Sequence, residues 1–470
     1  MLFEAAALVT ASLALVGVGG VAAVPEFSTV SVQHGVAERL SDRQGDAGSA
    51  PLWAQLDVQS AASVDIDLAT VRTMSGSNLL VGLSGLSLTD MSAFAGQYPA
   101  QIDALLASPP AASSVSAWWT LLGSAERAQL TAATPRLVGN LDGVPLQQRS
   151  RANEAYLRDS LTAANSALAG TLSAAERASY TAQVAMLTQV SRALESSDNG
   201  PKRSLVLLDT AGSGRAAIAL GNPDTADFVG YLVPGMNFQV TPQIVNWTTT
   251  ADDLYREQLA VLSAGDPVST DTGSAVSRAV AGASPTAPST SPTVATISWI
   301  GYEAPDVFSV GGLDRAEAGA SFLQTSWAGV RATRGADQPF VAVFAHSYGS
   351  TVALLALSRG SIDVDALVVV GSPGSAIQSA ASLKVTDENV FVGKADWDPA
   401  VNSAFFGSDP GATSYGARVL GVNGGTDAVT GDRLAASVGH NDYFRPGTES
   451  LHNMALIGTD RADLVTDGIE

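Results

Sequence analysis

The chain has 470 residues and a formal net charge of −20, from 25 Lys and Arg set against 45 Asp and Glu. So acidic a chain is ill suited to DNA or RNA, whose phosphates are held by Lys and Arg. With no Cys and only four His, it has no disulfides, thiolate metal sites, Cys nucleophile or iron–sulfur cluster, and a His-rich metal centre is not expected either. Apolar residues make up 46% of the sequence, enough for a sizeable core. At about 150 residues per domain, the length suggests two or three domains.

Residues 5–24 read AAALVTASLALVGVGGVAAV, without a charge, and Pro25 ends the run. As a helix the run would span about 30 Å, the thickness of a bilayer core. It therefore reads as a membrane anchor or an export leader. Two features weaken that reading. No Lys or Arg precedes the run, and Glu4 stands where an export signal carries positive charge. The alternatives are a buried helix and a cytoplasmic protein. Residues 26–50 are polar and read as a linker, so 1–50 form a terminal segment ahead of two larger regions.

From Leu52 to about Ser197 the pattern is helical, and the region is taken as 51–200. Ser124-Ala-Glu-Arg127 and Ser173-Ala-Ala-Glu176 resemble capping boxes. Residues 153–168 and 174–194 carry apolar side chains at spacings of three and four, which predicts amphipathic helices. Pro135 to Pro145, rich in turn formers, reads as a helix–helix connection.

After Pro201 the period changes. Arg203–Asp209 and Arg215–Gly221 are short apolar runs joined by Thr-Ala-Gly-Ser-Gly and predict a β-hairpin. Strands are then expected at 228–233, 294–300, 340–345, 366–370 and 389–392, and helices at 249–262, 316–333, 350–359 and 448–457. This alternation predicts an α/β class: a mostly parallel sheet with helices on both faces, over 201–470. The stretch 263–293 holds SPTAPSTSPT and reads as a disordered, low-complexity insertion.

The chemistry centres on Ala345-His-Ser-Tyr-Gly349, placed between an apolar strand and a helix. That strand–turn–helix context is what a nucleophile elbow needs, with Ser347 held in strained angles and small residues on either side. His346 adjoins Ser347 on a sharp turn. It cannot readily act as its base and is expected to pack or hydrogen-bond beneath the site. The order Ser, acid, His makes His440, in the loop Ser437-Val-Gly-His-Asn-Asp-Tyr443, the expected base. His452 lies on a helix and reads as a satisfied, non-catalytic residue. For the acid, Asp398 precedes Pro399 and is favoured, with Asp396 as the alternative. The backbone amides of Tyr348 and Met236, the latter in Pro234-Gly-Met-Asn-Phe238, are the expected oxyanion donors. Neither a cofactor nor a metal is called for.

These segments resemble an α/β-hydrolase domain of unknown function common in actinobacteria, a GHSYGS-type serine hydrolase. The resemblance is carried by Gly221-Asn-Pro-Asp-Thr-Ala-Asp227, Ser298-Trp-Ile-Gly-Tyr-Glu-Ala-Pro305, His346-Ser-Tyr-Gly-Ser-Thr351 and Gly371-Ser-Pro-Gly374. It continues through Asp398-Pro399, Phe406-Gly-Ser-Asp-Pro410, Gly439-His-Asn-Asp-Tyr443 and Ser450-Leu-His-Asn453. Upstream, Trp118-Trp119 and Gly139-Asn-Leu-Asp-Gly-Val-Pro145 resemble the helical region that precedes that domain. The resemblance implies the α/β-hydrolase fold and a triad of Ser347, Asp398 and His440. Ala345, where Gly is usual, and the Ser/Pro/Thr insertion are departures. The reading is a serine esterase acting on small or lipid-like esters. Amide or peptide hydrolysis, and a non-catalytic cell-envelope binding role on the same fold, are the alternatives.

Overall fold

A computed structural model describes residues 66–196, 200–265 and 291–466. The apolar run at 5–24, the linker at 26–50 and most of the Ser/Pro/Thr stretch lie outside them. Among the described residues, no helix is long and apolar enough to cross a membrane.

The first part is helical: α1 (Leu68–Val71), α2 (Gly76–Ser84), α3 (Leu88–Gln97), α4 (Pro99–Ala107), α5 (Ala112–Leu121), α6 (Ser124–Ala133), α7 (Pro135–Asn140), α8 (Leu146–Leu168) and α9 (Ala174–Leu194). The Ser173 box forms as expected: Ser173 Oγ accepts from the Glu176 amide, and Glu176 Oε2 accepts from the Ser173 amide. At α6 the expected box does not form: Gly123 is the N-cap and has no side chain to contribute, and only the reciprocal half is present, with Glu126 Oε2 accepting from the Gly123 amide. The expected connection at 135–145 is in fact a short helix followed by a turn. Pro135 begins α7, where the missing N–H has no intrahelical acceptor to lose. Helix α8 likewise starts seven residues before the expected 153, directly after Pro145.

The second part is an eight-stranded sheet in the order β1-β2-β4-β3-β5-β6-β7-β8. The strands are β1 (Arg203–Asp209), β2 (Arg215–Gly221), β3 (Phe228–Val233), β4 (Val294–Ile300), β5 (Phe340–His346), β6 (Ala366–Val370), β7 (Val390–Gly393) and β8 (Arg418–Leu420). Strand β2 runs antiparallel to both β1 and β4, and every pairing from β4 to β8 is parallel. Alternate side chains of each strand point to opposite faces. On β5, Val341, Val343 and Ala345 pack beneath α11 (Asp314–Arg334) and α12 (Tyr348–Arg359). Ala342 and Phe344 pack beneath α10 (Val240–Ala264) and α13 (Glu449–Ile457). A bulge between Leu205 and Leu207 puts Leu205 and Leu208 on the same face. The α10 helix begins nine residues before the expected 249, because Pro242 lies in its first turn, where no donor is required.

The helical part meets β1 at the open edge of the sheet. Asn140 accepts from the Leu208 amide and donates to the Leu208 carbonyl, each at 2.9 Å. Ser150 Oγ accepts from the Leu205 amide at 3.0 Å, and Asn153 Nδ2 donates to the Leu205 carbonyl at 3.1 Å. Side chains of α7 and α8 thus take the positions that the backbone of a ninth strand would occupy.

Candidate active site

The parallel strands deliver their following loops to one rim of the sheet. Ser347 follows β5 at φ 55°, ψ −132°, outside the regions open to ordinary L-residues, and the helix α12 starts at the next residue. Two close approaches hold the turn. A Cβ on Gly349 would lie 2.4 Å from the Pro234 carbonyl oxygen and 2.6 Å from that of Val233. The small residue two after Ser347 is therefore needed against the end of β3 rather than against β5. Ala345 is fully buried in β5, so the departure from Gly is accommodated.

The structure brings Ser347, His440 and Asp398 into one hydrogen-bonded line. Asp398 Oδ1 lies 2.9 Å from His440 Nδ1, and His440 Nε2 lies 2.8 Å from Ser347 Oγ. A carboxylate only accepts, so Nδ1 carries the proton, and Nε2 is left to accept from the serine hydroxyl. All three residues are buried. Asp398 also accepts from the Ala400 amide at 2.8 Å and from the Tyr443 hydroxyl at 2.7 Å. Burial pushes its carboxyl up, but the bonds to His440, Tyr443 and Ala400 and the His440 charge outweigh burial and hold it below the usual range. Asp396 is exposed and does not reach His440; its carbonyl accepts from the Gly439 amide and anchors the loop carrying the histidine.

His346 lies beneath the site. Its Nε2–H donates to the His440 carbonyl at 2.7 Å, and its ring is centred 4.7 Å from that of His440. Burial, and then the proximity of His440, push its pKa down to about 3. His452 lies apart, with Nδ1 at 2.8 Å from Glu257 and Nε2 at 3.5 Å from Asp427. Burial lowers its pKa, but the bond to Glu257 and the two carboxylate charges raise it overall.

Met236 lines the space in front of Ser347, and Tyr348 follows Ser347 directly. Tyr348 is the first residue of α12, so its amide has no acceptor within the helix. Met236 follows Gly235, where a Cβ would lie 2.6 Å from Ser347 Cβ and 3.0 Å from its Oγ. The loop is fixed by the Tyr302 hydroxyl, which donates to the Pro234 carbonyl at 2.7 Å, and by the Asn237 amide, which donates to Pro305. Gly235 is required by proximity to the nucleophile. The space in front of Ser347, lined by Gly235, Met236, Phe238, His346, His440 and Asn441, has a volume of only about 10 Å³. That is about the size of one water and far less than an acyl group needs.

Tyr443 and Gly371 lie in segments that carry the resemblance, but the sequence assigns neither of them a role. Tyr443 steadies the carboxylate and also accepts from the Ala395 amide at 2.8 Å. Its spacing of three residues from His440 was the available signal. Gly371, at φ 60°, lies where a Cβ would meet Asp398 Oδ2 at 2.9 Å and the His440 ring at 3.1 Å.

The strand order, with β2 alone running against the other strands, and an elbow after β5 define an α/β hydrolase. Residues 209–408 match the alpha/beta hydrolase family model, and the chain belongs to an α/β-hydrolase family with mycobacterial relatives. It is 30% identical over 436 residues to the uncharacterized protein Rv2079 of Mycobacterium tuberculosis, covering 83% of this chain and 61% of that protein. It is 32% identical over 197 residues to the uncharacterized protein Mb0988c of Mycobacterium bovis, covering 41% of this chain and 65% of that protein. The chain thus spans under two thirds of the length of either relative. Among solved structures, an esterase of Pyrobaculum calidifontis covers 60% of this chain and 91% of its own, at 13% identity and a TM-score of 0.32. A dienelactone hydrolase of Anabaena variabilis covers 57% and 100%, at 10% identity and a TM-score of 0.31. At these values the likeness adds nothing to the topology.

Proposed function

We propose that the protein is a serine hydrolase that cleaves carboxylic esters, small or lipid-like. The observation that carries this reading is the line of hydrogen bonds from Asp398 through His440 to Ser347, set on a strained turn at the rim of the sheet. Ser347 Oγ attacks the ester carbonyl while His440 Nε2 takes its proton. Asp398 holds the His440 tautomer and stabilises the imidazolium. The Met236 and Tyr348 amides donate to the oxyanion of the tetrahedral intermediate. His440 returns the proton to the leaving alcohol, and the acyl group stays on Ser347. A water, deprotonated by His440, then releases the acid and restores the serine.

Labelling with a fluorophosphonate, followed by location of the modified residue, tests the proposal. Ser347→Ala should abolish labelling and lower kcat on a short aryl ester by about 10⁴–10⁶-fold, since members of a triad act as a unit. Labelling that survives in Ser347→Ala would overturn the assignment of the nucleophile.

A further inference from the structure

Away from Ser347, a cavity of about 540 Å³ lies between the helical part and the sheet. Its floor is the sheet face under α11, with Ala217, Tyr231, Ile297 and Trp299 from β2, β3 and β4. One wall is α11, through Phe322, Thr325 and Ser326, and the opposite wall is α4, through Leu106 and Ala107. It shares no lining residue with the small space before Ser347. The Trp299 ring, which stacks on Tyr302, stands between them, with Tyr302 stacked in turn on Tyr348. The volume lies within the range of small-molecule sites, and the position, between two parts of a chain, is a common one for them.

The polar groups of the lining determine what fits. Three arginines and three aspartates border the cavity, and each arginine is paired: Arg136 with Asp103, Arg149 with Asp142, and Arg215 with Asp209. Arg215 also lies 3.8 Å above the Phe322 ring, and the Tyr231 hydroxyl shares a hydrogen bond with Ser326. No charge in the lining is left over for a ligand charge, while the floor and both walls offer aromatic and aliphatic surface.

We propose that this cavity is a second binding site, for an uncharged lipophilic small molecule. A charged ligand would be desolvated there without a counter-ion, which is costly. The aromatic floor and the alkyl side chains of α4 supply the attraction for an apolar body.

The test uses the full chain and two probes with the same ring framework, N-phenyl-1-naphthylamine, which is uncharged, and its 8-sulfonate. The uncharged probe should bind saturably, one per chain, with enhanced fluorescence. The sulfonate should bind at least about tenfold more weakly, because its charge finds no partner. Thr325→Trp and Ala107→Trp, both at exposed positions on opposite walls, should each weaken the uncharged probe by at least about tenfold by filling the volume, with the circular dichroism spectrum retained. Prior reaction of Ser347 with a fluorophosphonate should leave probe binding unchanged. Equal affinity for the sulfonate, no saturable binding, binding unaffected by both fillings, or loss of binding on blocking Ser347 would each overturn the proposal. The comparison of the two probes and the Ser347 block need only the native sequence, so the test stands if either variant misfolds.

Discussion

Gly235→Ala is the sharpest test of how the oxyanion loop meets the nucleophile. The added Cβ would lie 2.6 Å from Ser347 Cβ, 3.0 Å from its Oγ and 3.2 Å from the His346 carbonyl. Ordinary carbon contacts fall near 3.5–4.0 Å, so loop and elbow must separate by about 1 Å. The elbow is tied on its other side, where the Ser347 amide donates to the Val370 carbonyl at 3.0 Å. The loop must yield instead, and it carries the Met236 amide. A shift of that size takes a donor out of the 2.7–3.1 Å range in which it stabilises an oxyanion, and losing one donor costs about 10²–10³ in kcat. The expectation is therefore a fall of about 10²-fold or more in kcat for p-nitrophenyl butyrate, with a much smaller change in KM. Fluorophosphonate labelling should be slowed by a similar factor. Thermal unfolding should shift only modestly, since one displaced loop leaves the sheet and its two apolar faces intact. A variant that is folded and retains near-normal kcat would refute the placing of the oxyanion donor at Met236.

Asp398→Asn should lower kcat by about 10⁴-fold through the wrong His440 tautomer, while Asp396→Asn, at an exposed position, should cost little; steady-state kinetics of both decide, and the reverse ranking moves the acid to Asp396. Tyr443→Phe removes one donor to the Asp398 carboxylate and leaves the buried Ala395 amide unpaired. It should reduce stability by about 1–3 kcal/mol in urea titration and raise the Asp398 pKa, so that activity is lost at a higher pH on the acid side. His346 is held neutral, with its pKa pushed from 6.5 down to about 3. The unfolded chain therefore binds the extra proton first. The contribution is full above pH 6.5 and is lost as pH falls, the loss amounting to about 2 kcal/mol at pH 5. His346→Gln, which keeps a donor for the His440 carbonyl but does not titrate, should flatten that acid slope. Urea midpoints from pH 8 to 5 that fall equally in both proteins would remove His346 as the cause.

The parts of the fold that the sequence disclosed are those with local punctuation. The hairpin Arg203–Asp209 and Arg215–Gly221 was read to the residue because apolar runs stop at Gly-rich turns. Ser347, Asp398 and His440 could be picked out because each sits on a short polar loop straight after an apolar strand or strand region. Three helix starts that the apolar spacing places too late, or not at all, have a proline at or near them. Pro135 begins α7, Pro145 caps α8 and Pro242 lies within the first turn of α10. Tyr443 and Gly371 owe their roles to contacts between loops far apart in sequence, which no periodicity records. The closeness of Gly235 to Ser347 is likewise a product of β3 and β5 lying side by side.

The side chains that dress the outer edge of β1 bear on which length of chain can stand alone. The segment matched by the hydrolase family, 209–408, begins at the last residue of β1 and stops before His440, so the stretch by which the chain is recognised has neither a closed edge nor the histidine of the hydrogen-bonded line. A piece starting at residue 201 would regain β1 and all three site residues. It would still bare the amides and carbonyls of Leu205 and Leu208, an open template for strands of other molecules. Asn140, Ser150 and Asn153 are thus as much a part of the hydrolase as its sheet, because they cover the edge that such a piece would leave open.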